Sequence, residues 1–443
     1  LKRLLLLWLL AVGEAHAMLP GVSDFDAPIS LTLTQAEVIA AQNRPRIGEA
    51  QFEADAAQQK VREARADFYP QITANAAAVG AGDGGETRIA ASGGLNNPTV
   101  FSRQSDGLAA TQLLTDFGRT SALTDGARFS AHAASADAES VREQVRLEVD
   151  RAYYEALRAQ TILQVATQTV AARKLFLDQI SALAQGQLKS ELDVSFARVN
   201  FGEANLLLLR ARNGVEQASA ALGAALGYRE KKEFILSEEK IPPAPPGDLS
   251  SLIAQALQAR PDAVALRNRY EAAVKEAAAA QDAKYPSIQA IGDAGVSPVR
   301  DDAQLNQSYI AAGISIALPV ANGGRLSAQT EEARLQASAA ERDLNEAEDD
   351  IVRDVRVAWL NVSTAFQAID VTNEVLASAT ESSDLAQARY RAGISSIVEA
   401  SQAQLNQTEA QLQSANAKYD YEILLSSLRY QLGDLAGSAP SHD

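Results

Sequence analysis

The stretch RPRIGEAQFEADAAQQKVREARADFYP, residues 44–70, is written again as RPDAVALRNRYEAAVKEAAAAQDAKYP, residues 260–286. Each opens on Arg-Pro and closes on Tyr-Pro, and both prolines move by 216 positions, from 45 to 261 and from 70 to 286. Further matches lie 206 apart: Asp116-Phe117-Gly118-Arg119 against Asn322-Gly323-Gly324-Arg325, Asp193 against Glu399, and Leu226-Gly227 against Leu432-Gly433. The chain is therefore a duplication, with ten extra residues in the first copy between Pro70 and Phe117. Such self-similarity governs every later reading, because one set of elements recurs in each copy. Each copy reads as a long helix, two short extended segments, a very long helix and a long helix.

Proline is tolerated in the first turn of a helix, so Pro45 opens a main helix that Pro70 stops. A shorter helix precedes it, with Thr34 the expected N-cap ahead of Gln35, Ala36 and Glu37. From Gly118 to about Ala184, and from Arg325 to about Arg391, nothing interrupts a helical pattern except single glycines. At about 1.5 Å rise per residue each reaches roughly 100 Å, more than a globular core needs. Val145, Val149, Ala156, Leu163, Val170 and Leu177 step by four and then by sevens, as do Ile351, Val355, Val362, Ile369 and Leu376. Sustained heptads predict packing side by side with other long helices. Return helices follow from about Leu192 to Leu226 and from about Val398 to Leu432, antiparallel because the connections are short.

Between Pro70 and Gly118 the period falls to two. Ile72, Ala74, Ala76 and Ala78 alternate with Gln71, Thr73 and Asn75, a Gly-rich loop follows at 80–85, and a second extended run reaches about Thr115. In the second copy Ile288, Ala290 and Gly292 alternate before Pro298, and Ile310, Ala312, Ile314, Ile316 and Leu318 alternate after it. The hairpins expected are about 71–115 and 287–318. Runs of about 9 to 11 residues at this period suit a tilted strand crossing a bilayer, and also a soluble hairpin capping a helical bundle. Residues 231–248 carry Ile241-Pro242-Pro243-Ala244-Pro245-Pro246-Gly247 and read as a semi-rigid connector.

Apolar residues are 47% of the 443 but aromatics only 5%, which favours closely packed alanine-rich helices over a thick core. A formal charge of −16 argues against a nucleic-acid partner, which needs clustered Lys and Arg. The absence of cysteine excludes disulfides, thiolate metal sites and a cysteine-borne lipid anchor. Lys2-Arg3, the apolar run Leu4 to Val12 and Ala15-His16-Ala17 read as a cleavable signal peptide over 1–17. The rest divides into a first repeat at 18–230, opening on an extended arm, the connector at 231–248, a second repeat at 249–433 and a polar tail at 434–443. No later segment gives about 18 consecutive apolar residues, so any entry into a membrane is by strands. His16, His132 and His442 are dispersed, and no nucleophile, base or metal-ligand set stands out, so neither catalysis nor a cofactor is expected.

Two local signatures carry a resemblance to the TolC family of outer-membrane efflux and secretion channels. One is Tyr390-Arg391-Ala392-Gly393-Ile394-Ser395-Ser396-Ile397-Val398-Glu399, similar to the family's Tyr-x-x-Gly followed by an acid six positions on. Its first-copy counterpart, Gly186 to Asp193, reads as one residue longer and lacks the tyrosine. The other is Gln112-Leu113-Leu114-Thr115-Asp116-Phe117-Gly118-Arg119, like the family's Gln-Pro-Leu-Phe-Asp-x-Gly-Arg. The order of the whole duplicated plan is the stronger match, over nearly the entire mature length.

The resemblance implies a mainly α fold with a β-barrel portion: a homotrimer whose helices form a periplasmic α-barrel tube topped by a twelve-stranded transmembrane barrel in outer-membrane lipid. It implies docking to a periplasmic adaptor, or membrane fusion protein, and an inner-membrane pump of RND, ABC or MFS type, with substrates conducted passively. Type I protein secretion shares that tube, and a pore-free periplasmic coiled-coil adaptor or scaffold is the reading from another class. Asp193 and Glu399 take the place of the family's entrance acids, while Gln402 stands where a second acid is often found. Ser190-x-x-Asp193 and Ser396-x-x-Glu399 read equally as capping boxes. Tyr390 reads as a packed helix-end tyrosine, or as a bolt hydrogen-bonded to a neighbouring helix. Gly118, Arg119, Gly324 and Arg325 mark the strand-to-helix passages, glycine for the bend and arginine for the interface. Tyr153 and Trp359, matched across the copies, read as seam packing.

Overall fold

The computed structural model describes residues 29–79, 103–238, 240–245, 247–296 and 308–434. The expected signal peptide, the 80–85 loop, Pro298 and the tail beyond 434 lie outside these residues. The first half runs β1 (Ile29–Leu31), α1 (Leu33–Asn43), α2 (Pro45–Ala66), β2 (Gln71–Val79), β3 (Arg103–Thr115), α3 (Arg119–Gln185) and α4 (Glu191–Ala225). The second runs β4 (Phe234–Leu236), α5 (Leu249–Ala259), α6 (Pro261–Asp282), β5 (Ser287–Val296), β6 (Ser308–Ala317), α7 (Arg325–Arg391) and α8 (Ile397–Leu432). The molecule is mainly helical, and α3 and α7 are both 67 residues long.

Pro45 and Pro261 occupy the first turns of α2 and α6, as the repeat predicts. The N-cap of α1 is Thr32, not Thr34: Thr32 and Gln35 form a complete capping box, so the helix starts two residues earlier. The connector is not wholly irregular. Phe234–Leu236 pairs in parallel with Ile29–Leu31, a short sheet that three-residue strands do not announce in sequence. Tyr153 on α3 is fully buried beneath it, its hydroxyl bridging the carbonyls of Leu31 at 3.0 Å and Ser237 at 2.8 Å. Downstream, Tyr419 and Lys418 on α8 hold Glu238, and Tyr421 donates to the Pro243 carbonyl at 2.6 Å. The proline-rich segment is thus clipped to the helices it crosses.

The other four strands form one antiparallel sheet ordered β2-β3-β5-β6, so the two hairpins are joined through β3 and β5. Its outer strands, β2 and β6, are both edges. The heptad residues Val145, Val149 and Ala156 fall in one core with Leu31, Leu222 and Phe234. Ile351, Val355, Val362 and Ile369 fall in another with Leu252 and Tyr421, and Trp359 packs at its margin. Among the described residues no helix is long and apolar enough to cross a membrane.

The repeated Arg-Pro and Leu-Gly pairs meet in space. Gly227, at φ 84°, follows the end of α4 and faces the α1–α2 joint, where an added Cβ would lie 2.8 Å from the Asn43 Cβ. Gly433, at φ 68°, does the same after α8, with Ala259 and Arg260 backbone atoms at 3.0 Å. Arg44 donates to the Ala224 carbonyl at 3.0 Å and pairs with Glu148 at 2.6 Å. Arg260 donates to Gln431 at 2.6 Å and grips Asp262 with two nitrogens. Both the left-handed conformation and the close approach require glycine. Gly227→Ala is expected to cost about 1–3 kcal/mol, read as a lowered melting temperature of the solubilised protein.

Beside this joint α1, α3 and α8 enclose a group of carboxyls. Burial, and then the neighbouring Asp150, pushes Glu37 up to about 7. Burial pushes Asp150 up to about 6 against hydrogen bonds from Ser426 and Glu37 and the charges of Arg429 and Arg146. The folded chain keeps protons here that the unfolded chain releases near pH 4, so this contribution to stability falls as pH rises from about 4 to 7. Asp150→Asn is expected to flatten that slope and to raise stability at pH 8 by on the order of 1 kcal/mol, checked by melting at pH 5 and pH 8.

Candidate functional site

The two turns between paired helices are built alike. After α3, the Gln187 and Leu188 amides donate to Ala184 at 2.9 Å and Leu183 at 2.9 Å. After α7, those of Gly393 and Ile394 donate to Tyr390 at 3.0 Å and Arg389 at 2.9 Å, the same C-terminal hydrogen-bonded end 206 residues later. The first turn is therefore not one residue longer. Gln187, at φ 62°, and not Gly186, is the counterpart of Gly393 at φ 75°. A left-handed glutamine hid the equivalence, because glycine is the residue sequence reading looks for there.

Ser190 and Ser396 then cap α4 and α8, but the acids three residues on diverge. Asp193 closes a full capping box: its amide donates to Ser190 Oγ at 3.2 Å, and its carboxylate accepts from the Ser190 amide at 3.1 Å. Glu399 receives only half of one. Its amide donates to Ser396 Oγ at 3.3 Å, while its carboxylate turns back across the turn to Arg389 Nη1 at 3.2 Å. The longer side chain reaches the last turn of α7, where a basic residue also suits the helix dipole.

Beneath both turns lies one small core of Phe176, Ile180, Val194, Ala197, Tyr390, Ile397 and Ala400. Tyr390 packs on Phe176 with ring centroids 5.8 Å apart. Its hydroxyl is buried with no hydrogen-bond partner in the described chain. Burial, and then the negative charge of Asp193, pushes its phenol up to about 12. Lys189, which sequence reading passed over, lies 3.9 Å above the Tyr390 ring and donates to its carbonyl at 3.4 Å. This cation over an aromatic face ties the first turn to the second. Asp193, Lys189 and Tyr390 thus form one group. Glu399 and Gln402 lie apart in an open groove of about 610 Å³ between α7 and α8, where Gln402 donates to Asn406 at 2.9 Å.

At the opposite ends of the long helices, Gly118 at φ 113° and Gly324 at φ 83° are the residues that turn strand into helix. Asp116 caps the first, accepting from the Thr120 amide at 2.8 Å and hydroxyl at 2.6 Å. Asn322 accepts from the Leu326 amide at 3.4 Å in the second. Arg119 and Arg325 are exposed. Among the described residues no cluster of three or more acids and histidines offers a metal site.

The sequence profile of outer membrane efflux proteins matches residues 38–228 and 252–434, one match to each half of the duplication. The chain belongs to the outer membrane efflux protein family. Outer membrane protein TolC of Salmonella enteritidis is 24% identical over 421 residues, covering 91% of this chain and 83% of the relative. Outer membrane protein TolC of Vibrio cholerae is 25% identical over 408 residues, covering 90% and 89%. A crystal structure of a membrane protein from Pseudomonas aeruginosa shares the fold with a TM-score of 0.78 at 24% identity, covering 90% of this chain and 93% of that one. Membership makes this an outer-membrane efflux protein, from a family of channels and not enzymes.

The divergence of the two caps is measurable. Ser190→Ala removes the hydroxyl that accepts from the Asp193 amide and donates to its carboxylate, and is expected to cost about 1 kcal/mol. Glu399→Gln removes an exposed ion pair and is expected to cost no more than about 0.5 kcal/mol. Amide exchange at residues 191–194 and 397–400 reads the two effects separately.

Proposed function

We propose that the chain is one of three identical walls of an export duct, conducting substrates passively from a periplasmic adaptor and inner-membrane pump through the outer membrane. One observation carries this reading: α3 is covered by two helices of the other half, α6 and α8, and among the described residues α7 has no corresponding cover. The duplication maps α6 onto α2 and α8 onto α4, so the missing cover for α7 is α2 and α4 of another copy. The surfaces left bare agree. Val357, Val371 and Leu385 are exposed along α7 at intervals of two heptads, Leu192, Val199 and Leu206 along α4 at heptad intervals, and Phe52 on α2 is 74% exposed. Such sustained apolar faces belong against other helices.

The same step joins the β6 edge of one sheet to the β2 edge of the next. Hydrocarbon cannot satisfy the free amides and carbonyls of an open edge, so closure is a condition for these strands to lie in lipid. Three four-stranded sheets then make a twelve-stranded barrel. At the other end Asp193 and Glu399 ring the entrance in three copies each, and Lys189 on Tyr390 holds the paired turns together. Opening separates those turns, and the acids favour cations.

Single-channel recording in planar bilayers, with sedimentation mass alongside, tests this reading. A mass of three chains and discrete ion steps are expected. Asp193→Asn with Glu399→Gln is expected to lower cation preference by about two- to tenfold, and Lys189→Ala to raise the open fraction. A monomer that never conducts, with or without these substitutions, returns the chain to a pore-free scaffold. Unchanged selectivity in the double variant removes the acids from the entrance while leaving the duct.

A further inference from the structure

Twelve residues before the end of α3, about 18 Å above the turn, a charge is buried without an ion pair. Arg173 is 3% exposed, and its guanidinium donates to the side-chain oxygen of Gln404 on α8. Burial lowers its pKa to about 10, against a raising influence from Glu203. Glu203, on α4, is exposed and forms no ion pair with it. Arginine nonetheless remains protonated at neutral pH, and a buried cation without a counter-charge is expensive.

Among the described residues the wall beside Arg173 supplies amide donors and no acid. A cavity of about 130 Å³ between α3, α7 and α8 is lined by Arg173 with Gln168, Gln387, Gln404, Gln407 and Gln411, and by two threonines. The threonine hydroxyls are committed to backbone, Thr169 to the Val165 carbonyl at 2.8 Å and Thr408 to that of Gln404 at 3.1 Å. Gln387 donates to Ser383 at 3.2 Å. The carboxamides of Gln168, Gln407 and Gln411 make no hydrogen bond within the described chain and can turn an amide inward. The duplication does not explain the arginine, since the equivalent position on α7 is Ala379.

We infer that this cavity binds a small monovalent anion, chloride in the first instance, held by the Arg173 guanidinium and the surrounding glutamine amides. One buried positive charge among neutral donors is balanced by one negative charge. The volume accommodates a halide with two or three waters at about 30 Å³ each. Because Arg173 lies on α3 and Gln404 and Gln407 on α8, the bound anion fastens the seam between the two halves of the chain. The inference stands independently of conduction.

Bromide and melting test it on the full-length, detergent-solubilised protein. Crystals soaked in bromide are expected to show an anomalous peak within about 3.5 Å of the Arg173 guanidinium. At constant ionic strength, replacing gluconate by chloride is expected to raise the melting temperature saturably by about 3–5 °C. Gln407→Glu supplies the missing carboxylate from the cavity wall and is expected to abolish that response while keeping the fold, and Arg173→Gln to abolish it by removing the charge. Absence of a bromide peak at Arg173, or a chloride response equal in the parent and in Gln407→Glu, overturns the site.

Discussion

Lateral contact along α3 is the constraint on which the rest of the molecule depends. A helix of 67 residues cannot be stabilised by propensity alone, and no compact core is long enough to bury one side of it. The chain meets this by laying α1, α2 and α4 from its own half, and α6 and α8 from the other, against a single rod. Alanine makes the contact close: Ala131, Ala133, Ala138, Ala152, Ala156 and Ala166 are all buried on α3. The two halves are therefore neighbouring staves and not separate domains. What holds α3 in its place also defines what α7 lacks.

Much of this architecture is legible before any coordinates. Arg44-Pro45 and Arg260-Pro261 announce the helix starts because proline has few other permitted positions, and the heptads announce the seams. The short parallel strands are not legible. Three residues carry almost no periodic signal, and their pairing depends on Tyr153, whose role shows only when Leu31 and Ser237 are seen on either side of its hydroxyl. The start of α1 is ambiguous for a related reason: Thr32 and Thr34 are each followed three residues on by a side chain able to close a capping box, Gln35 and Glu37, and only the Thr32–Gln35 box forms.

The candidate entrance was half legible. The spacing that matched Ser190 with Ser396 and Asp193 with Glu399 placed all four at the starts of α4 and α8, but gave no sign that one extra methylene sends Glu399 to Arg389 while Asp193 stays on its own cap. Lys189 gave no signal because a cation above an aromatic face is a tertiary arrangement, and Gln187 because glutamine rarely marks a left-handed turn. Arg173 stood within a helical run, and nothing in the run said that its charge would be enclosed. Residues whose meaning is set by a partner on another helix are those that one-dimensional pattern omits.

The pairing of β1 with β4 also bears on how the chain reaches its native state. Ile29 and Phe234 are more than 200 residues apart, so the first strand waits until both long helices of the first half and the connector have been made. Closing so distant a contact late is slow, because its loop entropy is lost before the contact is gained. The first half cannot complete its own core in isolation, since Tyr419 of α8 is part of it beside Leu31 and Phe234. The short sheet closes the first half over its own connector, and Tyr419 of α8 then covers the same core, so a first copy without α8 would be left with an open, adhesive flank.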